Sequence, residues 1–205
     1  MVGVSLVSIV GLGGSYDGRS RSLAALRIAL EGARSAGASV RLFDVRELDL
    51  PMYDPALPPP PNALALADAV HAAQGMLWSS PLYHGTISGS FKNALDWLEL
   101  LGDREPSYLT DKAIGLIAAA GGTQGLNAVN TMEFVVRALR GWAVPLVLPI
   151  PRVGRVFPDD GSVDVGIRES LLTLGQEVTR AARQLSLVQI TTPAAQAEEQ
   201  RVDRE

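Results

Sequence analysis

Apolar runs alternate along this chain with segments in which apolar residues recur every three or four positions. The runs are rich in β-branched residues and bounded by glycine or polar residues, so they predict buried strands, whereas the periodic segments predict amphipathic helices. The predicted strands cover residues 2–12, 39–45, 75–80, 113–120 and 143–150. The predicted helices cover residues 22–37, 62–74 with Asn62 as its cap, 89–101, 126–140 and 165–187.

The alternation of strands and helices predicts a doubly wound α/β fold. Strands that are apolar throughout must be covered on both faces, which requires a parallel sheet with helices on each side. With right-handed crossovers, five such strands favour a five-stranded parallel sheet of order 2-1-3-4-5. Residues 50–62 are rich in proline and predict an irregular connector or a polyproline segment. We expect one domain over residues 1–190 and a disordered tail over the polar, charged residues 191–205.

The composition narrows the chemistry that such a fold can carry. The 205 residues include no Cys, which excludes disulfides, thiolate metal sites and thiol nucleophiles, and the two histidines, His71 and His84, are not spaced as metal ligands. The formal net charge of −4 argues against nucleic-acid binding. No apolar stretch reaches the ~18 residues that predict a membrane span. The first residues lack the basic region of a signal peptide, so we expect a cytoplasmic protein.

In a sheet of this order a ligand binds beyond the carboxyl ends of the strands, near strands 1 and 3, so three loops matter most. The first loop, residues 11–22 (GLGGSYDGRSRS), joins the first strand to the first helix. Its glycines allow backbone N–H groups to converge on an anion at the helix N-terminus. Its side chains that can bind an anion are Ser15, Arg19, Ser20, Arg21 and Ser22. The loop lacks the Walker and dinucleotide-binding patterns, and an ordinary tight turn with a serine cap is the alternative interpretation.

The second loop, residues 79–91 (SSPLYHGTISGSF), follows the third strand. It combines a proline bend with apolar and aromatic side chains and a bare glycine backbone. That combination suits a flat, partly apolar ring better than a phosphate group. The candidate ring-lining residues are Pro81, Leu82, Tyr83, His84 and Gly85. For Tyr83 and His84 the alternative interpretation is ordinary packing of a surface loop.

The third loop, residues 118–125 (AAAGGTQG), follows the fourth strand. Gly121, Gly122 and Thr123 can direct backbone N–H groups and a hydroxyl at polar ring atoms, although a simple glycine-rich turn would have the same composition. Together the three loops would provide an anion cradle, a wall for a ring and a hydrogen-bonding edge. This set fits a nucleotide with a flat heterocycle, and flavin mononucleotide (FMN) fits best.

Over about residues 4–187 the chain resembles the NAD(P)H-dependent FMN reductase family, and three motifs carry the resemblance. The family's phosphate loop, GSxRxxSxS, is matched by Gly14, Ser15, Ser20 and Ser22. Its P-x-Y-x-x-x-x-x-G-x-x-K-N-x-x-D-W motif is matched by Pro81, Tyr83, Gly89, Lys92, Asn93, Asp96 and Trp97. Its Gly-Gly loop after the fourth strand is matched by Gly121, Gly122 and Gly125.

The resemblance implies a flavodoxin-like three-layer sandwich that binds FMN. Ser15, Ser20 and Ser22 would bind the phosphate, residues 81–85 would line the isoalloxazine ring, and residues 121–123 would meet its pyrimidine edge. The family also implies an oxidoreductase that takes hydride from NADPH or NADH and passes it, by a ping-pong mechanism, to a small acceptor. Free flavin, a quinone, an azo dye and a metal oxyanion are candidate acceptors. Family members are usually homodimers or homotetramers.

One position departs from the family pattern, and two other functions stay open. The family often has an arginine for phosphate at the position of Asp17, and we expect Arg19 or Arg21 to compensate for the acid. The first other function is that of a flavodoxin-type electron carrier that does not itself oxidise NAD(P)H. Such carriers usually have a strongly acidic surface, which a net charge of −4 does not match. The second is a regulatory or scaffolding relative that binds no flavin, and only Asp17 favours it.

Overall fold

Five parallel strands form one sheet in the computed structural model, which describes residues 7–190. The strands are β1 (Ser8–Gly13), β2 (Ser39–Asp44), β3 (Gly75–Tyr83), β5 (Ala113–Ala119) and β6 (Trp142–Ile150). Their order is β2-β1-β3-β5-β6, which confirms the predicted α/β fold and the predicted order of the parallel strands. A short additional strand, β4 (Thr86–Ile87), pairs antiparallel with the end of β3.

Helices cover both faces of the sheet, so the molecule has three layers. One face carries α1 (Arg21–Ser35), α6 (Val153–Val156) and α7 (Val165–Ile190). The other face carries α2 (Val45–Leu48), α3 (Pro61–Ala72), α4 (Gly89–Asp96) with the 3-10 helix Trp97–Leu101, and α5 (Gly125–Ala138). Strand residues alternate between the two cores: Ile9 packs with α1 and α7, whereas Val10 and Leu12 pack in the opposite core.

The structure corrects the predicted number of strands, which is six in the described residues rather than five. His84 and Gly85 both have positive φ, and this two-residue turn reverses the chain with the twist that a hairpin needs. Thr86 therefore pairs with Tyr83, and β3 extends three residues beyond its predicted end. The short helices α2 and α6 were not predicted, because four residues are too few to show a helical period.

The structure also corrects the predicted start of α3, which Asn62 does not cap. Pro61 takes the first helical position, where its fixed φ suits a helix and its missing N–H loses no hydrogen bond. The capping residue is Pro60, which makes no side-chain hydrogen bond. The Asn62 amide instead donates to the carbonyl groups of Leu48 and Asp49, so it ties α3 to the end of α2.

Two predictions fall outside the described residues: the beginning of the first predicted strand, before residue 7, and the predicted tail over residues 191–205. Within residues 7–190, no helix has the length and apolar character that crossing a membrane requires. The same part of the chain holds no group of three or more His, Asp or Glu side chains that could share a metal ion.

Two glycines bring α1 and α7 into direct backbone contact. A Cβ atom on Gly32 of α1 would lie 2.1 Å from the carbonyl oxygen of Leu172, and one on Gly175 of α7 would lie 1.9 Å from the carbonyl oxygen of Ala29. Neither distance leaves room for a methyl group, so the two helices approach this closely only because both positions are glycine. The contact fixes α1 on the sheet, and with it the loop that leads from β1 into α1.

Lys112 is a buried cation immediately before β5. It is 5% exposed, and its Nζ donates to the carbonyl oxygens of His71 (2.8 Å) and Ala73 (2.5 Å) at the end of α3. Burial lowers the pKa of Lys112 to about 8, and the carboxylate of Asp111 opposes part of that shift. Lys112 thus satisfies the last carbonyl groups of α3, but its charged form is less favourable in the folded protein than in water.

We expect Gly175→Ala to lower the free energy of unfolding by about 2–3 kcal/mol, because the added methyl must push α7 away from α1. Gly166→Ala in the same helix is the matched control: its Cβ would lie 3.5 Å from the nearest atom, Oδ1 of Asp164. The free energy of unfolding of that variant should not fall, and it should rise by up to about 1 kcal/mol because alanine has a higher helix propensity than glycine. Urea denaturation of both variants measures the difference, and equal losses would contradict the proposed backbone contact.

We expect Lys112→Met to change how stability depends on pH. Between pH 8 and 10.5 the unfolded wild-type chain holds a proton at Lys112 that the folded protein has released, so wild-type stability gains from rising pH in this window. Methionine cannot titrate. The free energy of unfolding of the wild type, minus that of the variant, should therefore rise by about 2–3 kcal/mol across the window. Denaturation at stepped pH measures it, and parallel pH profiles would show that the lysine is not perturbed.

Candidate flavin-binding site

The loops that follow β1, β3 and β5 meet around one cavity of about 160 Å³. These three strands are neighbours in the sheet, and the carboxyl ends of parallel strands share one edge, so the fold brings the loops together. Most of the predicted site residues line this cavity, namely Ser15, Ser20, Arg21, Ser22, Pro81, Leu82, Tyr83 and Gly121. Asp17, Ala119 and Val153 complete the lining.

The turn after β1 is narrow, and two glycines make it possible. A Cβ atom on Gly13 would lie 2.2 Å from the carbonyl oxygen of Ser79 on β3. Gly14 has a φ of +102°, and its N–H donates to the same carbonyl at 3.1 Å. A Cβ atom on Gly14 would also lie 2.6 Å from Oδ1 of Asp44 at the end of β2. The chain therefore passes between β2 and β3 as bare backbone, and the serines that follow lie at the end of β1.

Three serines surround the start of α1. Ser20 caps the helix, because its Oγ accepts the N–H of Leu23 at 3.2 Å, and this Oγ is 3.0 Å from the Oγ of Ser22. Ser15 is only 4% exposed, yet its hydroxyl has no hydrogen-bond partner among residues 7–190. Because Ser15 lines the cavity, its unpaired hydroxyl, beside the positive end of a helix dipole, is suited to an anionic group.

The same loop also carries charged side chains, which lie between the serines in the sequence. Oδ1 of Asp17 accepts the backbone N–H of Arg19 at 3.0 Å. The guanidinium of Arg21 reaches towards the segment between α6 and α7: Nε donates to the carbonyl of Phe157 at 2.9 Å, and Nη2 is 3.2 Å from Oδ1 of Asp159. Nη1 of Arg19 lies 3.7 Å from Oδ2 of the same Asp159. The two arginines predicted to bind phosphate therefore share one carboxylate.

The β3–β4 hairpin forms the second wall. Its turn holds His84 at a φ of +49° and Gly85 at +90°, which is the type I′ geometry of a two-residue hairpin. The Oγ of Ser80 closes the base, since it donates to the carbonyl of Pro81 at 2.9 Å and accepts the N–H of Ser88 at 3.0 Å. Tyr83 lines the cavity while half of its surface stays exposed, so an aromatic face is available beside the serines.

The third wall is the glycine turn after β5. It is anchored from the side of α6, because the N–H groups of Arg152 and Val153 donate to the carbonyl oxygens of Gly122 (2.8 Å) and Ala120 (2.9 Å). Gly121 and Gly122 are exposed, have no positive φ, and a Cβ atom on either would meet no atom of the described chain within 4 Å. Neither packing nor backbone conformation within the protein requires glycine here, so this backbone is free for close approach by a ligand.

Some predicted site residues do not line the cavity, and some lining residues were not predicted. Arg19, His84, Gly85, Gly122 and Thr123 lie on the same three loops but outside the lining. Ala119 could have been found from the sequence, because it lies one residue before the end of a predicted strand, at the correct edge of the sheet. No local signal marks Val153, which reaches the cavity only because α6 follows β6 directly.

The second motif serves mainly to hold the proline-rich segment. The Asn93 side chain accepts the N–H of Tyr53 and donates to the carbonyl of Pro51, both at 2.8 Å, and the indole N–H of Trp97 donates to the same carbonyl at 3.0 Å. Lys92 and Asp96 form an ion pair one turn apart on α4. Asn93 and Trp97 therefore hold the proline-rich segment, and none of these four motif residues lines the cavity.

The lining offers three kinds of contact: hydroxyl and N–H donors at α1, an apolar and aromatic surface on the hairpin, and bare backbone after β5. Its volume of about 160 Å³ is below the ~300–1,000 Å³ of complete ligand pockets. The cavity can therefore receive part of a nucleotide-sized ligand, with the hydroxyl and N–H donors of α1 at one end.

Comparison with known proteins gives this arrangement a family. The family of NADPH-dependent FMN reductases matches residues 7–153. The NADPH-dependent FMN reductase ArsH of Acidithiobacillus ferrooxidans is 35% identical over 129 residues, which are 62% of this chain and 53% of ArsH, so the chain spans about half the length of that relative. The FMN-dependent NADPH-azoreductase of Staphylococcus aureus is 30% identical over 155 residues, which are 73% of this chain and 79% of the azoreductase.

A solved structure agrees with the fold. The flavoenzyme FerB of Paracoccus denitrificans, an NAD(P)H:(acceptor) oxidoreductase, superposes with a TM-score of 0.70 at 19% identity, covering 87% of this chain and 98% of FerB. At this identity the likeness establishes the flavodoxin-like architecture alone. The family match extends over most of the described residues and includes all three loops, and the azoreductase is similar over most of its own length. The chain therefore belongs to the NADPH-dependent FMN reductase family.

Proposed function

We propose that this protein is an NAD(P)H-dependent oxidoreductase that binds FMN between the three loops and transfers hydride to a small acceptor. The observation that carries the proposal is the convergence of anion-binding, ring-lining and bare-backbone segments on one cavity. Membership in the family supports it. Residues 1–190, of which 7–190 are described, would form the single FMN-binding domain, and the expected cytoplasmic location stays a prediction.

The phosphate would be bound at the start of α1. Ser15, Ser20 and Ser22 supply hydroxyl groups to the cavity, and the hydroxyl of Ser15 makes no hydrogen bond within the described chain, so it is free to donate to an anion. Arg21 lines the same cavity, and Arg19 lies on the same loop. The helix dipole of α1 favours a negative group at this end.

The flavin ring would lie against the hairpin and the glycine turn. Pro81, Leu82, Tyr83, His84 and Gly85 form the wall proposed for its face. Gly121, Gly122 and Thr123 would meet its pyrimidine edge. Gly121 and Gly122 support this fit, because packing within the described protein does not require glycine at either position: an added Cβ atom would contact no neighbour.

Bound FMN supplies the hydride chemistry, by accepting hydride from NADPH or NADH and passing it on. The protein's residues have to bind and orient the reactants. Backbone N–H groups of residues 83–85 are placed on a rigid type I′ turn and are proposed to donate to the ring. Tyr83 and His84 flank the ring in this proposal and transfer no proton. Nicotinamide and acceptor would use the same exposed side of the site in turn, so we expect ping-pong kinetics.

The acceptor is proposed to be a small molecule, and an azo dye is the first candidate because a relative is named as an azoreductase. Free flavin, quinones and metal oxyanions are further candidates. Both Tyr83 and the loop tips around the cavity are exposed, so acceptors of different shape could approach. The choice among them would be set by the shape of these loops and by any neighbouring subunit.

A homodimer or homotetramer is part of the proposal. Phe134 on α5 is 74% exposed, and Leu126 lies about two turns earlier on the same helix and is also exposed. Trp142, at the start of the edge strand β6, is a third exposed apolar side chain. Large exposed apolar side chains are typical of an interface between subunits.

We expect the purified protein to bind FMN and the bound flavin to lose its visible absorbance on anaerobic addition of NADPH or NADH. Addition of an azo dye or a quinone should then restore the absorbance. The measurement is an anaerobic visible spectrum after each addition, with free FMN at the same concentration as the control. Flavin that binds but is bleached by neither nucleotide would instead indicate an electron carrier, and a protein that binds no flavin would indicate the flavin-free alternative.

We expect Gly121→Ala to weaken FMN binding three- to tenfold, which corresponds to about 0.7–1.4 kcal/mol, because the methyl group would enter space that the flavin needs. Stability should not change, since the same methyl would meet no atom of the described chain within 4 Å. Fluorescence titration gives the dissociation constant and thermal unfolding gives the stability. Gly166→Ala in α7 is the control, and equal FMN affinity in both variants would argue against this edge of the site.

A further inference from the structure

We propose that Asp17 makes the cavity nearly indifferent to the phosphate of the flavin, so that the site binds riboflavin about as well as FMN. The proposal rests on the proposed function, because it assumes that the cavity binds a flavin. It concerns the selectivity of that binding, for which Asp17 is the determining residue. It predicts the class of ligand: flavins in general rather than phosphorylated flavins alone.

The first observation is the place of Asp17. It lines the same cavity as Ser15, Ser20 and Ser22, which are the side chains proposed for the phosphate. Its carboxylate is exposed and accepts the N–H of Arg19 at 3.0 Å. The aspartate therefore adds a negative charge to the phosphate end of the cavity and also takes one of the backbone donors of the loop.

The second observation is that the nearby arginines are already paired. Arg21 binds the carbonyl of Phe157 and the carboxylate of Asp159, and Arg19 lies 3.7 Å from that carboxylate. With Asp17, the two carboxylates offset the two guanidinium groups at this end of the site. Arg19 and Arg21 thus do not give the phosphate an uncompensated positive charge, contrary to the compensation that the sequence suggested.

A third cation limits the repulsion and keeps FMN among the ligands. Nη1 of Arg46 lies beside the loop, 3.0 Å from the position that a Cβ atom on Gly18 would take. Arg46 is exposed, so water and salt screen its charge. The carboxylate of Asp44 also lies beside the loop, with Oδ1 2.6 Å from the position that a Cβ atom on Gly14 would take. Three guanidinium groups are therefore offset by three carboxylates, and the phosphate of FMN gains little over the hydroxyl group that riboflavin has in its place.

The expected size of the effect follows from simple electrostatics. A flavin phosphate carries a charge of about −1.5 to −2 at neutral pH. Its repulsion by one carboxylate a few ångströms away, in an exposed loop where the effective dielectric constant is high, changes affinity by about tenfold. Removal of the Asp17 charge should therefore strengthen FMN binding by about tenfold and leave riboflavin binding unchanged.

The test is a pair of titrations on the full chain freed of flavin. The dissociation constants of FMN and riboflavin are measured by flavin fluorescence for the wild type, Asp17→Asn and Asp17→Glu. For the wild type we expect riboflavin to bind less than tenfold more weakly than FMN. Asp17→Asn keeps an oxygen that can accept the Arg19 N–H but loses the charge, so the preference for FMN should rise about tenfold. Asp17→Glu keeps the charge and should keep the low preference.

Asp54→Asn is the matched control, because Asp54 accepts the N–H of Ala56 at 2.9 Å in the same kind of exposed turn but does not line the cavity. It should leave the preference unchanged. A wild-type preference for FMN above tenfold, or a preference that Asp17→Asn does not alter, would overturn the role of Asp17 while leaving the flavin site intact. Failure of the wild type and the variants to bind either flavin would overturn the proposed function together with this inference.

Discussion

The backbone contact between α1 and α7 is the constraint on which the site depends. Because Gly32 and Gly175 have no side chains, the backbone carbonyl groups of each helix pack against the Cα of a glycine on the other. This contact fixes the orientation of α1 on the sheet. The start of α1 is then fixed relative to the end of β1, and the intervening loop can turn only because Gly13 and Gly14 pass between the neighbouring strands as bare backbone. The 3.0 Å approach of the Ser20 and Ser22 hydroxyls is local to the first turn of α1, and the packing of α1 determines where this pair lies relative to the end of β1.

The site is built from groups that bind and orient. Its lining supplies hydroxyls, backbone and an aromatic face, and the catalytic chemistry is left to the proposed cofactor. The absence of cysteine in the sequence therefore agrees with the function proposed for the fold. His71 does not line the cavity and lies at the end of α3. Burial lowers the pKa of His71, and the nearby positive charge of Lys112 lowers it further. Its carbonyl, not its ring, makes the contact with Lys112.

Much of the fold and of the cavity could be predicted from the sequence because the relevant signals are local. The apolar runs defined the five parallel strands, and the order of those strands then placed the three loops at one edge. The places of Ser15, Pro81 and Gly121 in the cavity lining could be predicted because each lies within three residues of the end of a predicted strand. The sequence did not predict β4, since a two-residue strand has no period and exists only because of the turn at His84 and Gly85. The prediction that Asn62 caps α3 was wrong because Pro61 takes the first position of that helix.

The charge balance of the phosphate end could not be predicted, because it depends on a contact between distant parts of the chain. The family match ends at residue 153, whereas Phe157 and Asp159, which bind Arg21, lie beyond it and 136 and 138 residues away from that arginine. The loop sequence alone predicts a net positive charge, because it contains two arginines and one aspartate. The segment after α6 supplies the second carboxylate and cancels that excess. If the proposed role of Asp17 holds, residues outside the family match change the selectivity of a loop that keeps the family's serines, without any change in the motif.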